Sequence, residues 1–291
     1  MTRTPPFTMT RQRTWWMTGI SAALFAALSA IFGDHLFAPS LWNASNWIDS
    51  PLVTYLMLLA IFLVGASQAR RLPADGVGIR LEARPAAPGQ INDPLSWRLL
   101  LGNDYFALLW LPLRFFLGRY WVASGVHKLG NPGWMAGGDA LKGFWAKQVV
   151  VPASRPPPIA YPWFRQFLQY MLDHGWYTWF AKLIAFSETL VGLGLLVGAL
   201  VGLAAFCGTF MNFNYLLAGA TSANPVLFGL GVLLVIAWKV AGFWGLDRWL
   251  LLTSLPREHA AAQVGALSQV AAREMAQSRS LRTLDHGSSS L

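Results

Sequence analysis

A single cysteine, Cys207, stands in 291 residues. That excludes an internal disulfide, a Cys-x-x-Cys redox pair and a four-thiolate metal site within this chain. Charge is scarce as well: Asp, Glu, Lys and Arg make up 12% of the residues, about half the usual share for a soluble domain. There is no G-x-G-x-x-G and no Walker loop, so flavin, nicotinamide and ATP sites have no support. The five histidines are scattered without paired spacing, which argues against a b-type haem or a zinc site. Ser124 and Ser187 lack a plausible His/Asp arrangement for nucleophilic work. What the chain has in quantity is apolar surface: 55% hydrophobic residues, 14% aromatic, and 15 tryptophans. A disordered chain, a collagen-like chain and a secreted disulfide scaffold are ruled out. The composition points to a membrane.

The net charge of +9 would by itself also suit a nucleic-acid binder. Its position decides otherwise, because the basic residues cluster beside apolar segments, as juxtamembrane anchors do. No nucleic-acid partner is expected.

Six stretches approach the roughly 20 apolar residues that span a bilayer: 15–32, 52–69, 105–127, 176–200, 202–220 and 226–245. The first follows Arg3, Arg11 and Arg13 in the manner of a signal peptide, but its apolar run is too long for that and reads as an anchored span. With six spans, thirteen Lys and Arg fall on one face and five (Lys128, Lys142, Lys147, Arg155, Arg165) on the other. The positive-inside rule then predicts both termini cytoplasmic. The expected fold is an all-α polytopic membrane protein of about six transmembrane helices in which a two-helix N-terminal hairpin (1–69) precedes the core. A cytoplasmic linker rich in Pro, Gly and Arg (70–104) leads into a membrane core (105–251) and a cytoplasmic tail (252–291). Within the core, the loop 128–175 has two apolar-aromatic pieces either side of a proline break, expected as short helices at the outer interface.

Arg114, Arg119, Lys182, Lys239 and Glu188 lie inside apolar spans. Each costs several kcal/mol there unless paired or hydrated, so each is a functional candidate. Counting depth at about 1.5 Å per residue gives two polar layers. The inner one holds Arg114, Glu188, Asn212 and Lys239; the outer one holds Arg119 and Lys182 beneath His127 and Lys128. Excess positive charge with one acid suits an anion or a developing oxyanion. Equally, Arg114–Glu188 reads as a buried pair that only fixes helix register, and Lys182 and Lys239 read as snorkelling side chains. Gly194, Gly198 and Gly202 form a small-xxx-small series whose ordinary role is close helix packing. His127, at a span end, is an ordinary interface residue or a proton relay.

The segments WLPLRFFLGRYWVASGVHKLGNPGWMAGGDALKGFW (110–145), WFAKLIAFSETLVGLGLLVGAL (179–200), FMNFNYLLAGATSANPVLF (210–228) and AWKVAGFWGLDRWLL (237–251) together resemble the DoxX/DoxD family. The likeness is strongest to its DoxD members, the membrane subunits of thiosulfate:quinone oxidoreductase. The pattern is a span carrying Arg, then G-x-x-K, then a span with a central Glu, and it covers about 105–251. The resemblance implies a four-helix membrane core and oxidation of thiosulfate to tetrathionate with reduction of a membrane quinone. It also implies a second, DoxA-like subunit, for which the tail here is too short and polar to be a fused equivalent.

On that basis Lys128, Lys142, Lys147 and Arg165 would meet the incoming dianion before Arg119. Trp121, Trp134, Trp145 and Trp163 would frame a quinone slot open to membrane lipid, with Lys182, Asn212 and Lys239 as further binding candidates. Thiosulfate sulfur would add to the quinone while Arg114, Arg119 or Lys128 stabilises the oxyanion and Glu188 positions Arg114 or delivers a proton. A second thiosulfate would displace hydroquinone. Quinone is the electron-accepting substrate, and no metal, haem or flavin is expected in this chain. The expected location is the cytoplasmic membrane of a bacterium or archaeon. The competing reading is a non-catalytic accessory subunit of a larger respiratory or photosynthetic membrane complex. Transport would want an inverted repeat, which is not evident.

Overall fold

Proline and glycine set the ends of most helices in this chain, and they do so where a missing N–H or a positive φ costs least. In the computed structural model, which describes residues 7–32, 41–42, 44–74, 76, 78–81, 93–154 and 156–254, the chain is mostly helical. A short strand β1 (Phe7–Met9) leads into α1 (Arg11–Phe32), and a 3-10 turn (Ala44–Asp49) leads into α2 (Pro51–Arg70). Strand β2 (Ile79–Leu81) then pairs antiparallel with β1, Phe7 opposite Leu81 and Met9 opposite Ile79. There follow α3 (Leu95–Gly102), a 3-10 turn (Asp104–Trp110), and α4 (Leu111–Leu129). Then come three shorter helices: α5 (Pro132–Met135), α6 (Asp139–Gln148) and α7 (Pro162–Asp173). The remainder is α8 (Tyr177–Val197), α9 (Val201–Leu217), α10 (Asn224–Ile236), α11 (Trp238–Ala241) and α12 (Asp247–Ser254). The chain divides into two units, 1–248 and 249–291. Of the second, only the end of α12 is described; the expected cytoplasmic tail otherwise lies outside the described residues.

Three helices, α1, α2 and α8, are long and apolar enough to cross a membrane; α9 and α10 are apolar but shorter. The expectation of six spans is met by length and composition at those three. Helix α4 departs for a physical reason: it carries Arg114, Arg119, His127 and Lys128, and it lies in the middle of the unit. It packs against α1, α8 and α10, so 12 of its 19 residues are buried, Arg114 and Arg119 among them.

The segment expected to be a linker is partly built into the fold. β2 pairs with β1, the Arg11 Nε donates to the Leu72 carbonyl, and the Gln68 amide donates to the Tyr105 carbonyl. The two pieces expected as short helices around the prolines are α6 and α7. Helix α7 turns Phe164, Leu168 and Met171 inward and leaves Trp163, Phe167 and Tyr170 exposed.

The closest helix pair is α4 with α8, and glycine makes it possible. A Cβ on Gly118 would stand 2.9 Å from Leu196, one on Gly125 2.6 Å from the Thr189 nitrogen, and one on Gly192 2.7 Å from the Gly118 carbonyl oxygen. The Gly194/Gly198/Gly202 series does not line this interface. It falls at the corner between α8 and α9, where Gly198 adopts φ +69° and Gly202 faces Trp238.

Candidate functional site

The α4–α8 contact fixes what the buried charges meet. Gly118 lies against Leu196 and Gly125 against Thr189, so each step up α4 is a step down α8. Glu188 therefore falls level with the last turn of α4, and Arg114 falls level with the corner that follows α8. The expected Arg114–Glu188 pair is not formed. Glu188, 1% exposed, instead accepts from the Lys128 ammonium at 2.5 Å through Oε2 and from the Tyr215 hydroxyl at 2.7 Å through Oε1. Lys128 also donates to Ser124 Oγ, one turn back on α4, at 2.6 Å, and its Nζ stands 5.1 Å from the centre of the Trp134 ring. One carboxylate, one ammonium and two hydroxyls thus form a chain of hydrogen bonds drawn from α4, α8 and α9. A buried ion pair persists where such additional partners satisfy it.

This cluster forms one wall of a cavity of about 590 Å³. Trp121, Trp134, Trp145, Phe164, Phe180 and Phe210 contribute the aromatic walls, and Lys128, Glu188, Tyr215 and Ser124 the polar end. Helices α6 and α7 roof it, with Trp145, Phe164, Leu168 and Met171 turned inward. A mostly apolar chamber with a few convergent polar groups is the usual form of a small-molecule site. Its size suits a substituted ring, and its polar end offers an ammonium and a hydroxyl to an oxygen on that ring.

The other expected site residues separate into two groups. Trp121, Trp134 and Trp145 line the cavity; Trp163 is 60% exposed on the outer side of α7 and does not. Lys182 is exposed on α8, and Lys239 is exposed with its ammonium over the Trp238 ring; neither belongs to a buried layer. Asn212 is 1% exposed on α9, does not line the cavity, and has neither side-chain polar atom hydrogen-bonded. His127 is exposed at the end of α4, beside Lys128 in sequence but not in its network.

The two arginines do structural work. Arg114 donates to the carbonyls of Ala241 and Trp244, both at 2.9 Å, and so ties α4 to the turn after α11. That turn is held again by Asp247, whose two oxygens accept the backbone N–H groups of Leu200 and Val201 at 2.6 and 2.9 Å and so cap α9. Arg119 donates to the Ile48 carbonyl at 2.8 Å, to the Ser50 carbonyl at 3.3 Å and to the Thr54 hydroxyl, with the Asp49 carboxylate 3.7 Å away. It anchors the turn before α2 and does not share a layer with Lys182.

Sequence reasoning passed over Tyr215 and Asp247, and it left Ser124 without a role. The glycines held the missing signal: Gly118 and Gly125, seven apart on α4, with Gly192 on α8, set the register that pairs Lys128 with Glu188. No cluster of His, Cys, Asp and Glu able to hold a metal occurs among the described residues. No family model matches the chain, and neither a curated protein nor a solved structure matches it.

Proposed function

We propose that this chain is the membrane subunit of a quinone-linked oxidoreductase, with α1, α2, α4, α8, α9 and α10 as its membrane segments and the quinone ring in the aromatic cavity. The observation that carries the reading is the Lys128–Glu188–Tyr215 cluster closing one end of that cavity. Reduction of a quinone consumes two electrons and two protons, so its oxygens need donors beside an otherwise apolar chamber. Lys128 and Tyr215 are such donors, and Glu188 supplies the counter-charge. The arginine-rich end, with Arg11, Arg70, Arg71 and Arg98, is assigned to the cytoplasmic side. The cavity and its lysine then face the outer side of a bacterial or archaeal cytoplasmic membrane.

Thiosulfate enters through the DoxD resemblance. Two thiosulfate dianions would lose one electron each and join through a new S–S bond as tetrathionate, while the quinone takes the two electrons and two protons. Arg114 and Arg119 give donors to backbone carbonyls and do not line the aromatic cavity, so the oxyanion role is not assigned to them. Lys128 is the cation left for that role. A dianion is poorly matched to an apolar chamber whose ion pair is neutral overall, so the donor is assigned to the polar mouth and a DoxA-like second subunit.

A second reading, a non-catalytic accessory subunit of a larger complex, is favoured by one observation. Both buried arginines serve the fold, and α1, α2, α8 and α9 present broad exposed apolar faces. Purification in mild detergent, with thiosulfate-dependent decylubiquinone reduction and subunit stoichiometry measured on one sample, separates the two. Turnover lost in Glu188→Gln supports the oxidoreductase; a stable multi-subunit assembly that neither turns over nor binds quinone supports the accessory subunit.

A further inference from the structure

A second cavity, of about 400 Å³, lies on the other side of α4. Its lining is more polar than that of the first: Ser29, Asp49, Arg119, Tyr120, Ser124 and His127 stand there with Phe32, Phe116 and Ala123. Ser124 and Tyr120 belong to the walls of both cavities. His127, exposed, also borders a third cavity, which reaches Trp47 and Asn131. The Ser29 hydroxyl, in a residue 2% exposed, has no hydrogen-bond partner in the protein. A buried hydroxyl without a partner, in a polar space with room for several waters, is the setting in which ordered water is found.

The aromatic cavity has the opposite problem. Both Glu188 oxygens are engaged, and the donors that face the chamber, Lys128 and Tyr215, are surrounded by aromatic side chains. A proton given up there must be replaced from water. Lys128 has one hydrogen-bond contact that leads away from the cluster, the 2.6 Å bond to Ser124 Oγ, and Ser124 is the residue that faces the polar cavity.

We propose that the polar cavity is a water-filled vestibule, entered past His127, that returns protons to the Lys128–Glu188–Tyr215 cluster through the Ser124 hydroxyl. This deepens the quinone reading and rests on it for the use made of the proton. The transfer balances simply. The Lys128 ammonium gives a proton to a reduced ring oxygen and becomes an amine. Ser124 passes its hydroxyl proton to that amine and takes one from a vestibule water, and the hydroxide left passes to bulk solvent, where it registers as proton uptake. Glu188 remains a carboxylate throughout. The groups facing Lys128 are Glu188, Tyr215, Ser124 and the Trp134 ring; those on the vestibule side are Asp49, Arg119 and His127.

The test has two arms, both in the full chain with Cys207→Ser. In the first, Ala123→Cys and Ser124→Cys are compared with Met211→Cys, which lines only the aromatic cavity. A charged, membrane-impermeant methanethiosulfonate reacts only with a thiolate that water can reach. The vestibule positions are expected to react at least about ten-fold faster than Met211→Cys. Equal, slow labelling at all three positions would overturn the vestibule. In the second arm, proton uptake is followed in weak buffer while reduced methyl viologen, an electron donor whose oxidation releases no proton, reduces protein loaded with saturating decylubiquinone. Ser124→Ala is expected to slow uptake by about a hundred-fold, the size of a general acid–base contribution, and Ser124→Thr to restore it. Unchanged uptake in Ser124→Ala would overturn the route. Failure of decylubiquinone to bind at all counts against the quinone reading, and the labelling arm then decides the vestibule independently.

Discussion

The Lys128 ammonium reaches across the α4–α8 interface to the Glu188 carboxylate at 2.5 Å, and Gly125, one turn before the lysine, is what lets the two backbones come close enough. The pair is unequally buried, with side-chain exposures of 15% and 1%. Removing one partner leaves the other without compensation, at a cost of roughly 3 to 5 kcal/mol for a buried pair. Glu188→Gln and Lys128→Met should each lower the thermal midpoint in detergent markedly. The double substitution Glu188→Gln/Lys128→Met should cost less than the two single losses together. Strictly additive losses would show that the pair is not coupled.

Gly125→Ala tests the same interface from the backbone. Its Cβ would lie against the Thr189 nitrogen at 2.6 Å, and neither backbone can yield cheaply. Overpacking of this kind costs about 1 to 3 kcal/mol. Thermal unfolding should show that loss, along with weaker quinone binding, because the helices part beneath Lys128 and Glu188. A fully stable Gly125→Ala would contradict the assigned close approach.

Arg114 and Gly198 form a second relationship. Gly198, at φ +69°, leaves no room for a Cβ, which would meet Arg114 Nη1 and the Gly245 Cα at 2.8 Å each. Gly198→Ala combines a left-handed backbone with that collision and should destabilise by at least about 1 to 2 kcal/mol. Arg114→Met strands two carbonyls and should destabilise by roughly 2 to 3 kcal/mol. Quinone affinity, measured on the folded fraction, should stay at the wild-type value for Arg114→Met. A large selective loss of affinity would return Arg114 to the site.

Asp247 caps α9 through the N–H groups of Leu200 and Val201. Asp247→Ala removes both acceptors and should cost about 1 to 2 kcal/mol, in the range of a strong N-cap. Hydrogen exchange at the first turn of α9 should accelerate while the middle of α8 stays protected. Uniform protection would show that another group carries the cap.

Arg119→Gln cuts the tie between α4 and the turn at residues 44–50. Limited proteolysis should then cleave near that turn faster than in the wild type, while the thiosulfate requirement of any turnover stays unchanged. A raised thiosulfate requirement would restore Arg119 as an anion-binding residue.

Composition and apolar run lengths made the helical, membrane-type character legible, and the proline break correctly separated α6 from α7. The tertiary partners were harder to read. Depth counted from span ends places Arg114 beside Glu188 because it sets His127 and Trp176 level at the outer face, whereas the Gly125–Thr189 contact puts the last turn of α4 beside Glu188, the twelfth residue of α8. In the structure a 3-10 turn occupies Asp104–Trp110 and α4 begins at Leu111. Periodicity does not state which turns of two antiparallel helices face each other. Lys128 and Trp134 were recognised as candidates, but Tyr215 was not, since a tyrosine near a helix end is ordinary until the carboxylate it serves is known. Lys182 and Lys239 illustrate the converse. A cation within an apolar run carries no mark in sequence of whether it points to the interior or outward.

The most direct measurement is a titration of the purified chain with decylubiquinone, read by quenching of tryptophan fluorescence, in the wild type, Glu188→Gln and the cavity-filling Met211→Trp. A ring held among Trp121, Trp134 and Trp145 should quench saturably. Affinity should fall at least about ten-fold, some 1.4 kcal/mol, in Met211→Trp and Glu188→Gln. Quenching that does not saturate, or that saturates identically in all three proteins, would contradict a quinone site in this cavity.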